Sequence, residues 1–129
     1  MSGHSLTPIY YQAPDGSLPV LDVAMSLGPG NRPHFDFMTG LFSRLTDENP
    51  ELLPPHAFPL SGEFADFREL RCPTDGALYR VIYRQSGLFV VLLHAFRLDR
   101  GPITVADQEI ALERWNDFVS HLGMTAPET

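Results

Sequence analysis

Arginines on predicted strands, interleaved with tyrosine and histidine, are the residues of this chain whose types and spacing could do chemistry. Residues 67–100 read FRELRCPTDGALYRVIYRQSGLFVVLLHAFRLDR. They hold six of the nine arginines (Arg68, Arg71, Arg80, Arg84, Arg97 and Arg100) together with Tyr79, Tyr83 and His94. The chain contains no lysine, so every cation is a planar guanidinium able to grip a phosphate through two parallel N–H donors. Attack of a ribose 2′-hydroxyl on its own phosphodiester needs in-line geometry, a proton donor or acceptor, and cations facing the phosphorane. Arginine-rich strands could supply the cations, and histidine or tyrosine the proton transfer. A plainer alternative stands beside this one. Strand arginines are by default a solvated sheet face, and a histidine inside an apolar strand is by default a hydrogen-bonded core residue.

Other chemistries lack their residues. There is no GxSxG elbow for a serine nucleophile and no GxGxxG or Walker loop, so no nucleotide cofactor is expected. His4, His34, His56, His94 and His121 show no metal-ligand spacing, and no metal is expected. The single cysteine, Cys72, excludes an internal disulfide and reads as a small buried hydrophobe. Net charge is −7, but it is unevenly spread. Residues 68–100 carry six arginines against Glu69, Asp75 and Asp99, a net +3; the remainder carries three arginines against thirteen acids, a net −10. A basic patch on an acidic body fits one confined contact with a polyanion, not broad DNA binding.

The elements that must position these residues follow from periodicity. Length and composition predict a single domain over 1–129, with 1–6 and 124–129 as loose ends. A short strand is predicted over 7–12, closed by the Ala13-Pro14-Asp15-Gly16 turn. Pro19 opens a first helix ended by Gly28-Pro29-Gly30. Phe35, Met38, Leu41, Phe42 and Leu45 mark one face of a second helix over 33–46, with Met38 as core filler. The proline-rich stretch 47–62 reads as a connector. Strands are predicted over 67–72, 78–85 and 88–97, the last two joined at Ser86-Gly87, with 88–97 apolar on both faces and so interior. That turn would pair Arg84 with Phe89, Arg80 with Leu93 and Tyr79 with His94. Arg80, Arg84 and Arg97 would then share one face, and His94 and the tyrosines the other. A final helix over 105–122 takes Thr104 as cap, with Ala111, Trp115, Phe118, Val119 and Leu122 as its buried stripe. The order β-α-α-β-β-β-α is α+β.

Three strand motifs add to this reading. Phe67-Arg68-Glu69-Leu70-Arg71, then Leu78-Tyr79-Arg80-Val81-Ile82-Tyr83, then Val91-Leu92-Leu93-His94-Ala95-Phe96 resemble the xELR, YRVxY and LLHxF strands of the phage-derived HigB-type branch of the RelE toxin superfamily. Asp15-Gly16-Ser17-Leu18-Pro19-Val20 is similar to that branch's DGxxPV entry to its first helix, and Glu109, Ala111 and Arg114 to its last-helix motif. The similarity spans residues 7–118. It implies a RelE-like microbial RNase fold: an N-terminal strand, two helices, an antiparallel or mixed sheet of about four strands, and a C-terminal helix. It also implies the toxin of a type II toxin–antitoxin pair, an endoribonuclease that cuts mRNA on the ribosome and is silenced by a helix-turn-helix antitoxin. DNA would be met only through that antitoxin.

By position, the resemblance implies Arg71 and Arg80 as contacts of the scissile phosphate and neighbouring backbone, with Tyr79 beside them, and His94 as a general acid or base. Arg97 joins the catalytic candidates by adjacency, and Arg68, Tyr79, Arg84 and Arg100 are expected as RNA contacts from their place in the basic segment. Leu98 and Asp99 stand where the family carries a lysine pair, with Arg97 and Arg100 beside them. A RelE-type protein without nuclease activity, kept as an antitoxin or repressor-complex partner, is the second expectation. No apolar run reaches the roughly 18 residues of a membrane span, and 88–96 is broken by His94. MSGHSLTP lacks a basic segment followed by an apolar one, so a cytoplasmic location without membrane contact is expected.

Overall fold

A computed structural model describes residues 3–125, with side chains to residue 121; of the expected loose ends, 1–2 and 126–129 lie outside the described residues, as does the side chain of Leu122. The architecture is α+β, a five-stranded mixed sheet with three helices. The strands are β1 (Thr7–Tyr10), β2 (Ala57–Pro59), β3 (Arg68–Pro73), β4 (Leu78–Ser86) and β5 (Phe89–Arg97); the helices are α1 (Pro19–Ser26), α2 (Arg32–Gly40) and α3 (Val105–Thr125). Strand order is β1-β5-β4-β3-β2, with β1 parallel to β5 and the other pairs antiparallel. Among the described residues no helix is long and apolar enough to cross a membrane.

The sheet carries a core on each face. On one, Val20, Ala24, Phe35, Met38 and Phe42 cover Leu70, Cys72, Val81, Tyr83 and Leu92. On the other, Ala111, Trp115 and Phe118 of α3 cover Phe67, Ile82, Val91 and Leu93. Interior β5, read as apolar on both faces, has Val90, Val91, Leu92 and Leu93 all buried.

Several expectations are corrected. The sheet has five strands rather than about four, because β2 lies inside the proline-rich connector. As an edge strand, β2 can hold Pro59, which has no N–H to give a further neighbour. The second helix ends at Gly40, and Leu41–Arg44 tightens into a 3-10 turn. Val119 is 44% exposed, so it is not part of the stripe of α3.

The register differs most. Ser86 pairs with Phe89, so Gly87-Leu88 is the hairpin turn, and Gly87 takes the left-handed φ of 60° that it requires. Arg84 then pairs with Val91, Tyr83 with Leu92, Ile82 with His94, Arg80 with Phe96 and Tyr79 with Arg97. Leu93 is an extra residue in β5 between two successive pairs, a β-bulge. The bulge turns both Leu93 and His94 toward α3, and it reverses the phase of every residue after it.

Candidate functional site

The bulge decides which candidate residues meet. Arg71 of β3 stands directly across from Arg80 of β4, which stands across from Phe96 of β5, so all three share the α3 face. Ile82 pairs with both Glu69 and His94, placing those two on the same face. The expected division is therefore overturned: His94 lies with Arg80 and Arg84, and Arg97 lies with Tyr79 on the α1/α2 face.

At the centre is a two-to-one ion cluster. The Glu69 Oε2 accepts from Arg71 Nε at 3.1 Å and from Arg80 Nη1 at 3.3 Å. Arg80 also donates from Nη2 to the Gly101 carbonyl at 2.9 Å. Gly101 has a φ of 82°, a conformation open to glycine, where the β5–α3 connector turns back over the sheet. The side chains of Arg80 and Glu69 are 3% and 7% exposed, whereas that of Arg71 is 38% exposed. Two guanidiniums and one carboxylate leave a net single positive charge, and Arg71 carries it to the surface. Its guanidinium carbon sits 4.0 Å from the centre of the Phe58 ring of β2.

His94 is held from both ends. Its Nε2 lies 2.8 Å from Asp107 Oδ1, and its Nδ1 lies 3.4 Å from Arg114 Nη1, which also donates to the Leu93 carbonyl at 2.8 Å. Arginine can only donate, so Nδ1 is the bare nitrogen and Nε2 carries the hydrogen given to Asp107. Burial pushes the His94 pKa down; the hydrogen bond to Asp107 opposes this, and the charge of Arg114 adds to it. A neutral ring with both nitrogens engaged is a strut between β5 and α3, which is the plainer of the two sequence readings. Asp107 is fixed in turn. Its Oδ2 accepts from the Thr104 hydroxyl at 2.9 Å, and its backbone N–H donates to Thr104 Oγ1 at 3.2 Å, as expected of the cap of α3.

The remaining candidates do not converge on this cluster. Arg84, on the same face, lies over the rings of Trp115 and Phe67, with Asp66 at 3.6 Å. Arg68 is on the α1/α2 face, donating to the Tyr83 hydroxyl and the Leu52 carbonyl. Tyr79 packs edge-on against Phe35. Arg97 is tied to Asp99 at 2.9 Å, a pairing that raises the arginine pKa and lowers that of the aspartate. Arg100 is exposed in the β5–α3 connector. A cleft of about 450 Å³ between β1 and the second half of α3, lined by Tyr10, Tyr11, Asp117 and Phe118, contains no arginine.

Phe58 and the structural role of Glu69 were missed from the sequence. Phe58 sits in a proline-rich stretch, and Glu69 reads as one letter of a strand motif; only the β2–β3–β4 pairing brings them to Arg71 and Arg80. Among the described residues no group of three or more His, Cys, Asp or Glu side chains is placed to hold a metal. No model of a known protein family matches the chain, and no curated protein sequence matches it.

Proposed function

We propose that the chain is the toxin of a type II toxin–antitoxin module of the RelE/HigB kind, an RNA-directed protein that blocks translation by cutting mRNA on the ribosome. A helix-turn-helix antitoxin would be its partner, DNA would be met only through that antitoxin, and the cytoplasm would be its place of action. The observation that carries this reading is the Arg71 guanidinium at the surface of the sheet, in a cluster that the buried Arg80 beside it leaves with a net positive charge. Cleavage through a 2′-hydroxyl asks the protein chiefly for geometry and positive charge, and a ribosome that already holds the mRNA relaxes the first demand.

A second reading is a RelE-type protein without nuclease activity that binds an antitoxin or joins a repressor complex. Two observations favour it. Glu69 cancels one of the two guanidinium charges, and both ring nitrogens of His94 are engaged, so the ring is not free to move a proton.

Induced expression without the antitoxin, followed by mapping of mRNA ends, separates the two. The first reading expects growth arrest and new cuts in translated mRNA, both relieved by Arg71→Ala. A harmless protein that leaves mRNA whole overturns it in favour of the second. Arg71 is the variant of choice because removing buried Arg80 would disturb folding as well.

A further inference from the structure

The two facing strand arginines occupy unlike environments. Arg80 is enclosed, with Nη1 on Glu69 and Nη2 on the Gly101 carbonyl; its Nε is buried without a hydrogen-bond partner. Nothing in solution reaches it. Arg71 is fixed at two points and open elsewhere. Its Nε donates to Glu69 Oε2, its guanidinium carbon is 4.0 Å from the Phe58 ring centre, and its Nη1 and Nη2 make no hydrogen bond among the described residues. Free arginine side chains lose much rotamer freedom when they bind, and a guanidinium already immobilised loses less. The two Nη groups form the fork that matches two oxygens of a phosphate.

We infer that Phe58 is a positioning residue: with Glu69, it holds Arg71 as a pre-set fork for the phosphodiester backbone of single-stranded RNA, while Arg80 serves only to lock Glu69 in place. This rests on the RNA reading above. Phe58 acts through Arg71 and need not touch the RNA. The ring matters for its π face, which attracts the cation and fixes its plane. An aliphatic residue would cover the same surface without fixing that plane.

Binding of a 12-nucleotide single-stranded RNA by the full chain, titrated from low to moderate salt, tests this. The Arg71 Nε–H resonance in the free protein and the melting temperature of each variant are measured alongside. Phe58→Tyr keeps the ring, so affinity and an ordered Arg71 resonance are retained. Phe58→Leu mobilises Arg71 and weakens binding about two- to fivefold, a loss of the order of one exposed cation–π contact. Its salt slope stays that of the wild type, because the charge is still there. Arg71→Ala weakens binding and also flattens the log–log salt slope by about 0.7, the release of one counterion from a single strand.

A purely structural Phe58 would lower the melting temperature but leave the Arg71 resonance and the RNA affinity of the folded protein unmoved. That result, with RNA bound normally, overturns the inference and spares the RNA reading. Absence of binding by a wild-type protein whose Arg71 is ordered, on the free RNA and on ribosomes carrying mRNA alike, overturns the RNA reading, and the ligand assignment with it.

Discussion

Glu69 and Arg80 form a buried cross-strand ion pair, Oε2 to Nη1 at 3.3 Å, in which one carboxylate oxygen is shared with the outer guanidinium of Arg71. The pair joins β3 to β4 beneath the exposed cation, and through Gly101 it also ties down the approach to α3. It makes Arg80 a structural residue first.

Arg80→Ala should therefore lower stability by about 3–5 kcal/mol, since it leaves Glu69 buried with only the half-exposed Arg71 as partner. Urea unfolding gives the number. Replacing the pair together, Glu69→Leu with Arg80→Met, should recover most of the loss, because apolar side chains of similar volume avoid the desolvation of both charges and the orphaned Arg80 Nε. A single substitution that costs under 1 kcal/mol would show that the pair does not hold the strands.

Glu69→Gln should tighten single-stranded RNA binding and steepen its salt dependence by up to about 0.7. The amide oxygen still accepts from Arg71 Nε, but the site's charge rises from +1 to +2. Unchanged affinity and slope would mean that the cluster does not face RNA.

His94 gives the fold an acid limit. Its folded pKa lies below the ordinary 6.5, chiefly through burial, so the unfolded chain takes up a proton at a pH where the native ring does not. Stability should fall as pH drops below about 6.5, and level off once the folded ring protonates as well. His94→Gln, whose amide can still reach Asp107, should show a shallower decline than the wild type when melting is compared between pH 7.5 and 5. Parallel curves would remove His94 from the account.

Thr104→Ala should cost about 1 kcal/mol, the usual value of a side-chain cap. Asp107→Ala should cost more, because it also strips His94 of its acceptor. A double-mutant cycle between His94 and Asp107 should give a clear coupling, whereas a cycle between Thr104 and His94, which do not touch, should give a small one.

Cys72 should be inert in the native protein. Burial pushes its thiol up to about 12, so no thiolate forms near neutral pH, and the sulfur is sealed beneath the α1/α2 face. A coloured disulfide reagent should report no thiol until denaturant is added. Prompt reaction would mean that this face opens readily.

Periodicity and caps made α3, its Thr104 cap and the β4–β5 hairpin legible, because each has a local signal. The register did not have one. A strand that is apolar on both faces looks the same in either phase, and nothing in Val90-Val91-Leu92-Leu93-His94 marks Leu93 as the extra residue. That single insertion moved His94 to the side of Arg80 and sent Arg97 to the other. Strand β2 was hidden for a different reason. Prolines argue against strands in general but not against a three-residue edge, where one side of the backbone goes unpaired. The rest of the site was illegible because it is made by pairing: Phe58, Glu69 and Arg80 are brought together only by alignment across three strands.

The parallel pairing of β1 with β5 has a consequence for how the chain is made. Thr7 pairs with Phe89, so the strand synthesised first has no partner in the sheet until the last strand has left the ribosome. Until then Ile9 and Tyr11, whose neighbours are Val91 and Leu92, stay unpaired beside a growing antiparallel meander. The sheet closes late, through a contact spanning some two-thirds of the chain, and long-range closure of this kind is slow. Neither the β1 edge of the sheet nor the α3 cover over β5 can therefore form until the residues after Phe89 have been made, so the first strand must wait for nearly every element that follows it.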